Sequence, residues 1–235
     1  PPTVTVDHFE YKPNHDPNES PPGPSVSEIL PLTKHQISTL KQPKHPQNGH
    51  KVKELSTFRA VSAHIWRSAC IARNLAPDQD TRFYTVANVR SKLNPPLPEG
   101  YFGNAIVRTS EGTKAGEIMS KPLEFAGEKV GRALAKVNDE YIRSLIDYFE
   151  LGNDGKGWSL RESDLYAVSW LGMPIYDADF GWGKPEFMGR ANTLCGRGVA
   201  YLLSSKENDG GISVVMEMEV ENMEGFKKAF YEGLK

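Results

Sequence analysis

Hydrophobic and polar positions along this chain follow two periods, and the places where one yields to the other mark the predicted elements. Residues 1–11 alternate in a strand-like pattern. The stretch 12–31 follows, with Pro13, Pro17, Pro21, Pro22, Pro24 and Pro31 set among Asn, Ser and Gly. Such a stretch cannot hold a helix and is expected to form an exposed linker. A short helix capped by Thr33 is predicted to about Lys41, then a loop through Pro43, Pro46, Asn48 and Gly49.

From Ser56 the period becomes helical. Phe58, Val61, Ile65, Ala69 and Ala72 recur behind the Ser56/Thr57 caps, with Leu55 just outside. Phe83 to Val89 and Ala105 to Thr109 are strand-like, and the prolines of Asn94-Pro95-Pro96-Leu97-Pro98 force a loop between them. Pro122 opens a predicted long helix to about Glu150, with Phe125, Val130, Leu134, Val137, Tyr141, Leu145 and Tyr148 on one face. Leu165 to Leu171, Val199 to Ser204 and Ile212 to Val220 complete the strands, the last two joined by a turn around Asp209-Gly210-Gly211. In the last strand Ile212, Val214, Met216, Met218 and Val220 face inward, leaving Ser213, Glu217, Glu219 and Glu221 for water. A helix from about Asn222 turns Met223, Phe226 and Phe230 inward. Helices scattered between strands not joined as hairpins indicate a layered α/β domain.

Composition narrows the function classes. The chain has 235 residues and a formal charge of −2, with a mean hydropathy of −0.50 and a pI near 6.4. That balance argues against general affinity for nucleic acid or anionic membrane. No apolar run approaches the roughly 18 residues of a membrane span, and no signal pattern opens the chain. Cys70 and Cys195 make neither a zinc site nor a disulfide framework, so a cytosolic setting is expected. The opening residues, without an initiator Met, look like a cut through a longer protein.

Histidine is the commonest general base. His8, His15, His35, His45 and His50 lie in terminal or Pro-rich polar segments and are expected to be solvated, while His64 beside Ile65 and Trp66 is expected to be structural. His15/Glu19 and His50/Glu54 have helical ligand spacing, but the first sits in a proline-broken loop. No Gly-x-Ser-x-Gly elbow, Walker A loop or dinucleotide fingerprint is present. Asp177 and Asp179 would share one strand face, yet no third ligand accompanies them. On spacing alone the chain is a folded domain without a complete catalytic machine.

One run stands apart: Asp179-Phe180-Gly181-Trp182-Gly183-Lys184-Pro185. Gly181 and Gly183 permit positive φ, so a tight turn is expected to hold the aromatics at fixed angles, either plugging the core or presenting them to a ligand. With Ser56-Thr57-Phe58, His64-Ile65-Trp66-Arg67, Asn88-Val89-Arg90-Ser91, Asn94-Pro95-Pro96-Leu97-Pro98, Tyr101-Phe102-Gly103-Asn104, Ser169-Trp170-Leu171 and Met223-Glu224-Gly225-Phe226, it forms an ordered set. The set resembles the plant BAHD acyl-CoA-dependent acyltransferases over essentially the whole chain, and most of all the hydroxycinnamoyltransferases.

The resemblance implies a fold similar to chloramphenicol acetyltransferase, with an active-site channel between two domains. It places residues 1–12 at the end of an N-terminal domain, 13–50 in the inter-domain crossover and 51–235 in the C-terminal domain. The family's catalytic His-x-x-x-Asp is missing. The residues four past His8, His15, His35, His45, His50 and His64 are Lys12, Glu19, Thr39, Gly49, Glu54 and Ser68. The implied partner is therefore an N-terminal half carrying that motif. The implied donor is hydroxycinnamoyl-CoA as a substrate, with no tightly bound cofactor and no metal.

In such an enzyme the His deprotonates the acceptor, which attacks the thioester through an oxyanion, and Trp182 is the candidate channel-lining or oxyanion-donor residue. Asp179 resembles the family's aspartate that pairs with the arginine matched by Arg90. Ser56 and Thr57 are candidates for CoA contact as much as for simple capping, with Lys51, Lys53 and Arg59 as nearby positive charge. Relatives specific for shikimate or quinate carry a carboxylate-clamping arginine in a Ser-Trp-x-Arg run, where this chain has Gly172. The resemblance thus favours an amine acceptor such as spermidine over a shikimate-type alcohol, with Arg190 as a compensating cation from another angle. A base-less CoA-binding or interaction module is the alternative from a different class.

Overall fold

The computed structural model describes residues 1–14, 23–42, 54–153, 155–189, 197–207 and 209–234. Their frame is a mixed six-stranded sheet in the order β1-β6-β5-β4-β2-β3. The strands are β1 (Ser25–Leu32), β2 (Asp80–Asn88), β3 (Ile106–Lys114), β4 (Leu165–Ser169), β5 (Val199–Ser204) and β6 (Ile212–Glu219). β2 runs parallel to β4 and β4 to β5, while β1–β6, β5–β6 and β2–β3 are antiparallel.

One face is closed by helices. α2 (Thr57–Ala72), α4 (Leu123–Ala135) and α6 (Val220–Tyr231) cover it, flanked by α1 (Lys34–Lys41) and α3 (Ala115–Ser120). Alternate residues of the central strands, Phe83, Leu165, Ala167, Leu202, Val214, Met216 and Met218, meet Trp66, Ile65, Phe226 and Phe230 in one core. Trp66 is fully enclosed because Thr81 Oγ1 accepts from its indole N–H at 2.9 Å. A second cluster joins Ala87, Val89 and Val107 to Tyr141, Ile142 and Leu145 of α5 (Asp139–Glu150). The mixed α/β architecture expected from the alternating periods is what forms.

Four expectations are corrected. Residues 1–11 make no strand; a 3-10 turn at Phe9–Tyr11 carries them along the sheet edge instead. There Tyr11 Oη accepts from Arg108 N at 2.6 Å and Glu10 Oε1 from Ser110 N at 2.9 Å. These side chains satisfy edge-strand N–H groups that a paired strand would have taken. Second, β1 lies within the stretch read as linker. Its Pro31 sits at the sheet edge, where a missing N–H costs no ladder bond.

Third, the helix expected from Pro122 to Glu150 breaks at Lys136–Asn138. Asn138 is extended, and its side chain caps α5 by accepting from Tyr141 N at 2.9 Å. Fourth, Glu217 and Glu219 are buried in the interior strand β6, while Val220, expected to face inward on it, opens α6 and is half exposed. Arg73 Nε and Nη2 bind the two oxygens of Glu219 at 3.1 and 2.9 Å, a bidentate pair almost closed to solvent.

The second sheet face is divided. Over β2 and β3 it is packed: Trp158 lies against Tyr84 and under Arg108, and Arg82 lies over Phe9. Over β1, β6 and β5, among the described residues, Ile29 of the edge strand is half exposed while Val199, Leu203 and Glu217 are buried.

Candidate functional site

Two pieces of local structure gather the candidate residues. The first is the N-terminus of α2. Ser56 is extended and its Oγ accepts from Arg59 N at 3.4 Å, with Thr57 as the first helical residue. Arg59 Nε donates to Gly127 O at 2.8 Å. That approach needs glycines on α4: a Cβ on Gly127 would stand 2.6 Å from Leu55 Cδ1, and one on Gly131 would stand 2.9 Å from the Arg59 guanidinium. Sequence periodicity assigned these glycines nothing, though their four-residue spacing on a helix was the available signal. Lys51 and Lys53 lie outside the described residues.

The second piece leaves the sheet at the end of β4. Trp170 N donates to Leu202 O at 2.9 Å, and Trp170 packs on Tyr201 with ring centroids 5.2 Å apart. Gly172 then turns with φ +75, its N–H on Ser204 Oγ at 3.4 Å and nothing within 4 Å of where a Cβ would point. Room for a side chain exists there, but the backbone is left-handed. After a 3-10 turn at Ile175–Asp177 comes the Asp179–Gly183 run. Gly181 and Gly183 both have φ +96, and Asp179 Oδ1 accepts from the N–H groups of both, at 2.8 and 3.1 Å. One carboxylate oxygen thus locks the turn.

Two expectations about this turn change. The aromatics do not plug the core: Phe180 is 82% and Trp182 93% exposed. Among the described residues Asp179 and Arg90 form no ion pair, because each is engaged locally. Asp179 holds its own turn, while Arg90 donates to Gly103 O at 2.6 Å and Asn88 Oδ1 at 3.3 Å, with Tyr101 beneath its guanidinium. Arg90 therefore ties the end of β2 to the Tyr101–Asn104 loop, whose Phe102 stands free of the chain.

Among the described residues, no histidine or cysteine is placed to act as a base or nucleophile. His64 is structural, its Nε2 2.6 Å from Phe230 O. His35 is exposed as expected, and His15, His45, His50, Cys195 and Arg190 lie outside the described residues. His8 was expected in solvent and is instead buried against Tyr141 and Tyr148. Ser144 Oγ accepts from Thr5 N and Val6 N at 3.0 and 3.2 Å and lies 2.9 Å from His8 Nε2. His8 Nδ1, on the other side of the ring, is buried without a hydrogen-bond partner. Burial holds its pKa below 6.5 against the pull of Glu10 and Asp7. Cys70 is no nucleophile, since burial pushes its thiol up to about 11. Asp177 pairs with Lys184 rather than with Asp179. No group of three or more His, Cys, Asp or Glu fit to hold a metal occurs among the described residues. None of the described helices is long and apolar enough to cross a membrane.

The profile described as the Transferase family matches residues 1–233. The chain belongs to that family. The Transferase-family chain is 44% identical over its whole length to putrescine hydroxycinnamoyltransferase 1 of Oryza sativa subsp. japonica, covering 55% of that protein. It is 39% identical over 99% of its length to shikimate O-hydroxycinnamoyltransferase of Nicotiana tabacum, covering 56% of it. The chain thus spans about half the length of the curated relatives it matches. Its fold is also that of F. graminearum TRI101 solved with coenzyme A and deoxynivalenol, at 22% identity and a TM-score of 0.74 over 88% of this chain and 48% of that one. The resemblance to BAHD acyltransferases drawn from the motifs holds for this family member, including its half-length span.

Proposed function

We propose that this chain is the C-terminal half of an acyl-CoA-dependent acyltransferase that moves a hydroxycinnamoyl group from CoA to an amine acceptor. The observation that carries the reading is the turn locked by Asp179, which leaves Trp182 exposed to solvent. An indole so exposed within one chain is suited to lining a channel closed by another part of the protein. The half-length match to hydroxycinnamoyltransferases supports the same reading. Residues 13–50 would form the crossover between halves, and the protein would act in the cytosol.

The chemistry assigned to these residues is limited. A His of a His-x-x-x-Asp motif, borne on the N-terminal half, takes the proton of the acceptor nitrogen as it attacks the thioester carbonyl. Trp182 Nε1–H donates to the oxyanion. Collapse expels the CoA thiolate, which takes the proton back. The α2 N-terminus, with Ser56, Thr57 and Arg59, receives the polar end of CoA. CoA is a substrate consumed in each turnover rather than a resident cofactor.

Gly172 favours an amine, because a cationic acceptor meets no arginine there. The first relative named above acts on putrescine by its name, which supports that choice. An alcohol of the shikimate type is the second reading, favoured by the 39% identical relative. Turnover of putrescine, spermidine and shikimate by the chain paired with its N-terminal half tests both. Faster transfer to the amines is expected, and faster transfer to shikimate would replace the amine by the alcohol.

A further inference from the structure

The segment between β4 and β5 rests on one aromatic ring at both of its ends. At the first end Trp170 N donates to Leu202 O at 2.9 Å, and the Trp170 ring packs on Tyr201 with centroids 5.2 Å apart. At the second end Phe187 lies over a cavity of about 210 Å³ whose strand wall includes Tyr201, Val199 and Val215. Glu186 beside it pairs with Lys206 of the β5–β6 turn. Tyr201 is thus common to both footings. It lies in the middle of β5, which pairs with β4 on one side and β6 on the other, so two ladders fix its backbone.

Between the footings the segment is a run of short turns. Met173 N donates to Trp170 O at 3.3 Å, Ile175 N to Met173 O at 2.8 Å and Asp177 N to Pro174 O at 3.2 Å. Asp177 pairs with Lys184 at 3.5 Å across the Asp179–Gly183 turn. Met173, Phe180 and Trp182 along this arm are exposed, so core packing does not hold its tip. A run of locked turns carries a shift at its footing outward, and a support built on a strand places a group more precisely than a loop does.

We propose that Tyr201 is a positioning residue for acyl transfer: its ring, packed on Trp170 and facing the cavity beneath Phe187, sets where the arm holds Trp182. This rests on the role given to Trp182 above and adds the support which that role requires.

The test uses the chain together with its N-terminal half and measures transfer from 4-hydroxycinnamoyl-CoA to 1,4-diaminobutane. Tyr201→Leu is expected to lower kcat about 10²-fold, the scale of an ångström-sized misplacement, with KM for the donor changed less than about twofold. Tyr201→Phe keeps the ring and is expected to stay within about threefold of the original kcat. In a Trp182→Ala background, where the positioned group is gone, Tyr201→Leu is expected to lower kcat by less than about a further twofold. Phe187→Ala, at an exposed position, is expected to lower kcat about tenfold and to lose that effect in the same background, which decides the matter even if Tyr201→Leu fails to fold. An unchanged kcat in Phe187→Ala or in a folded Tyr201→Leu, or a loss that multiplies with that of Trp182→Ala, overturns the assignment while leaving Trp182 its role. An unchanged kcat in Trp182→Ala alone overturns that role, and the assignment with it.

Discussion

The two faces of the central sheet are built from the same strands and put to different uses. On the helix-covered face, alternate residues from Phe83 to Met218 vanish into one core with Trp66 and Phe226. On the other, the β2–β3 half is sealed by Phe9, Tyr11 and Trp158, while beyond it a cavity lined by Ile29, Tyr201 and Val215 lies beneath Phe187. Aromatic side chains are large on both faces. What differs is whether their burial is completed within this chain. Phe83 and Trp66 stabilise the fold; Phe180, Trp182 and Phe102 contribute little to it and remain available to something else.

The contrast can be broken most directly by truncating one aromatic on each face. Phe83→Ala is expected to lower unfolding free energy by about 3–5 kcal/mol, whereas Trp182→Ala changes it by no more than about 0.5 kcal/mol. Chemical denaturation of the two variants measures both. Their effects on acyl transfer reverse in meaning, since Trp182→Ala is expected to cut kcat by about 10²–10³ in a protein as stable as the original. Equal destabilisation by both would show that Trp182 belongs to a core after all.

Arg73 and Glu219 sharpen the same contrast with charge. Losing Arg73 strands a buried carboxylate, so Arg73→Ala is expected to destabilise by about 3–5 kcal/mol. Burial raises the Glu219 pKa, but Arg73 outweighs it and the net shift is downward. Its stabilisation is therefore full above the ordinary glutamate value and is lost as pH falls through the lower folded value. Denaturation midpoints from neutral pH into the acid range, compared with Glu219→Gln, read this directly.

Gly172 gives a smaller effect. An arginine there meets open space but a left-handed backbone, so Gly172→Arg is expected to cost about 1–2 kcal/mol. In the paired enzyme it should shift preference from amines toward carboxylate-bearing alcohols. The smallest effect is at the edge strap. His8 is held neutral by burial, so its contribution is present above 6.5 and fades as pH falls toward the lower folded value. Protection of amides 3–11 relative to their intrinsic exchange rates should fall over that range in the original protein and stay constant in His8→Gln.

Where the sequence was legible, one periodic signal carried each element. The helix after Ser56, the strand from Ile212 and the layered α/β class all rest on hydrophobic spacing that tertiary packing preserved. The misreadings have physical causes. Proline density hid β1, because an edge strand tolerates Pro31. The apolar stripe through Val137 continued across a break that Asn138 makes by capping. Glu217 and Glu219 read as solvent-facing because alternation cannot tell a covered second face from a wet one. In the site, the glycines of the 179–183 turn were legible from composition, but the use of Asp179 was not. A carboxylate bonded to its own turn and one paired with a distant arginine have the same sequence.

On the function proposed above, this chain would need a His-x-x-x-Asp half to acylate an amine. Transfer from 4-hydroxycinnamoyl-CoA to 1,4-diaminobutane should therefore be measured with the chain alone, with the N-terminal half added, and with that half carrying His→Ala. Amide formation only with the intact pair is the expected result. Amide formation by this chain alone, or none with the intact pair, would contradict it.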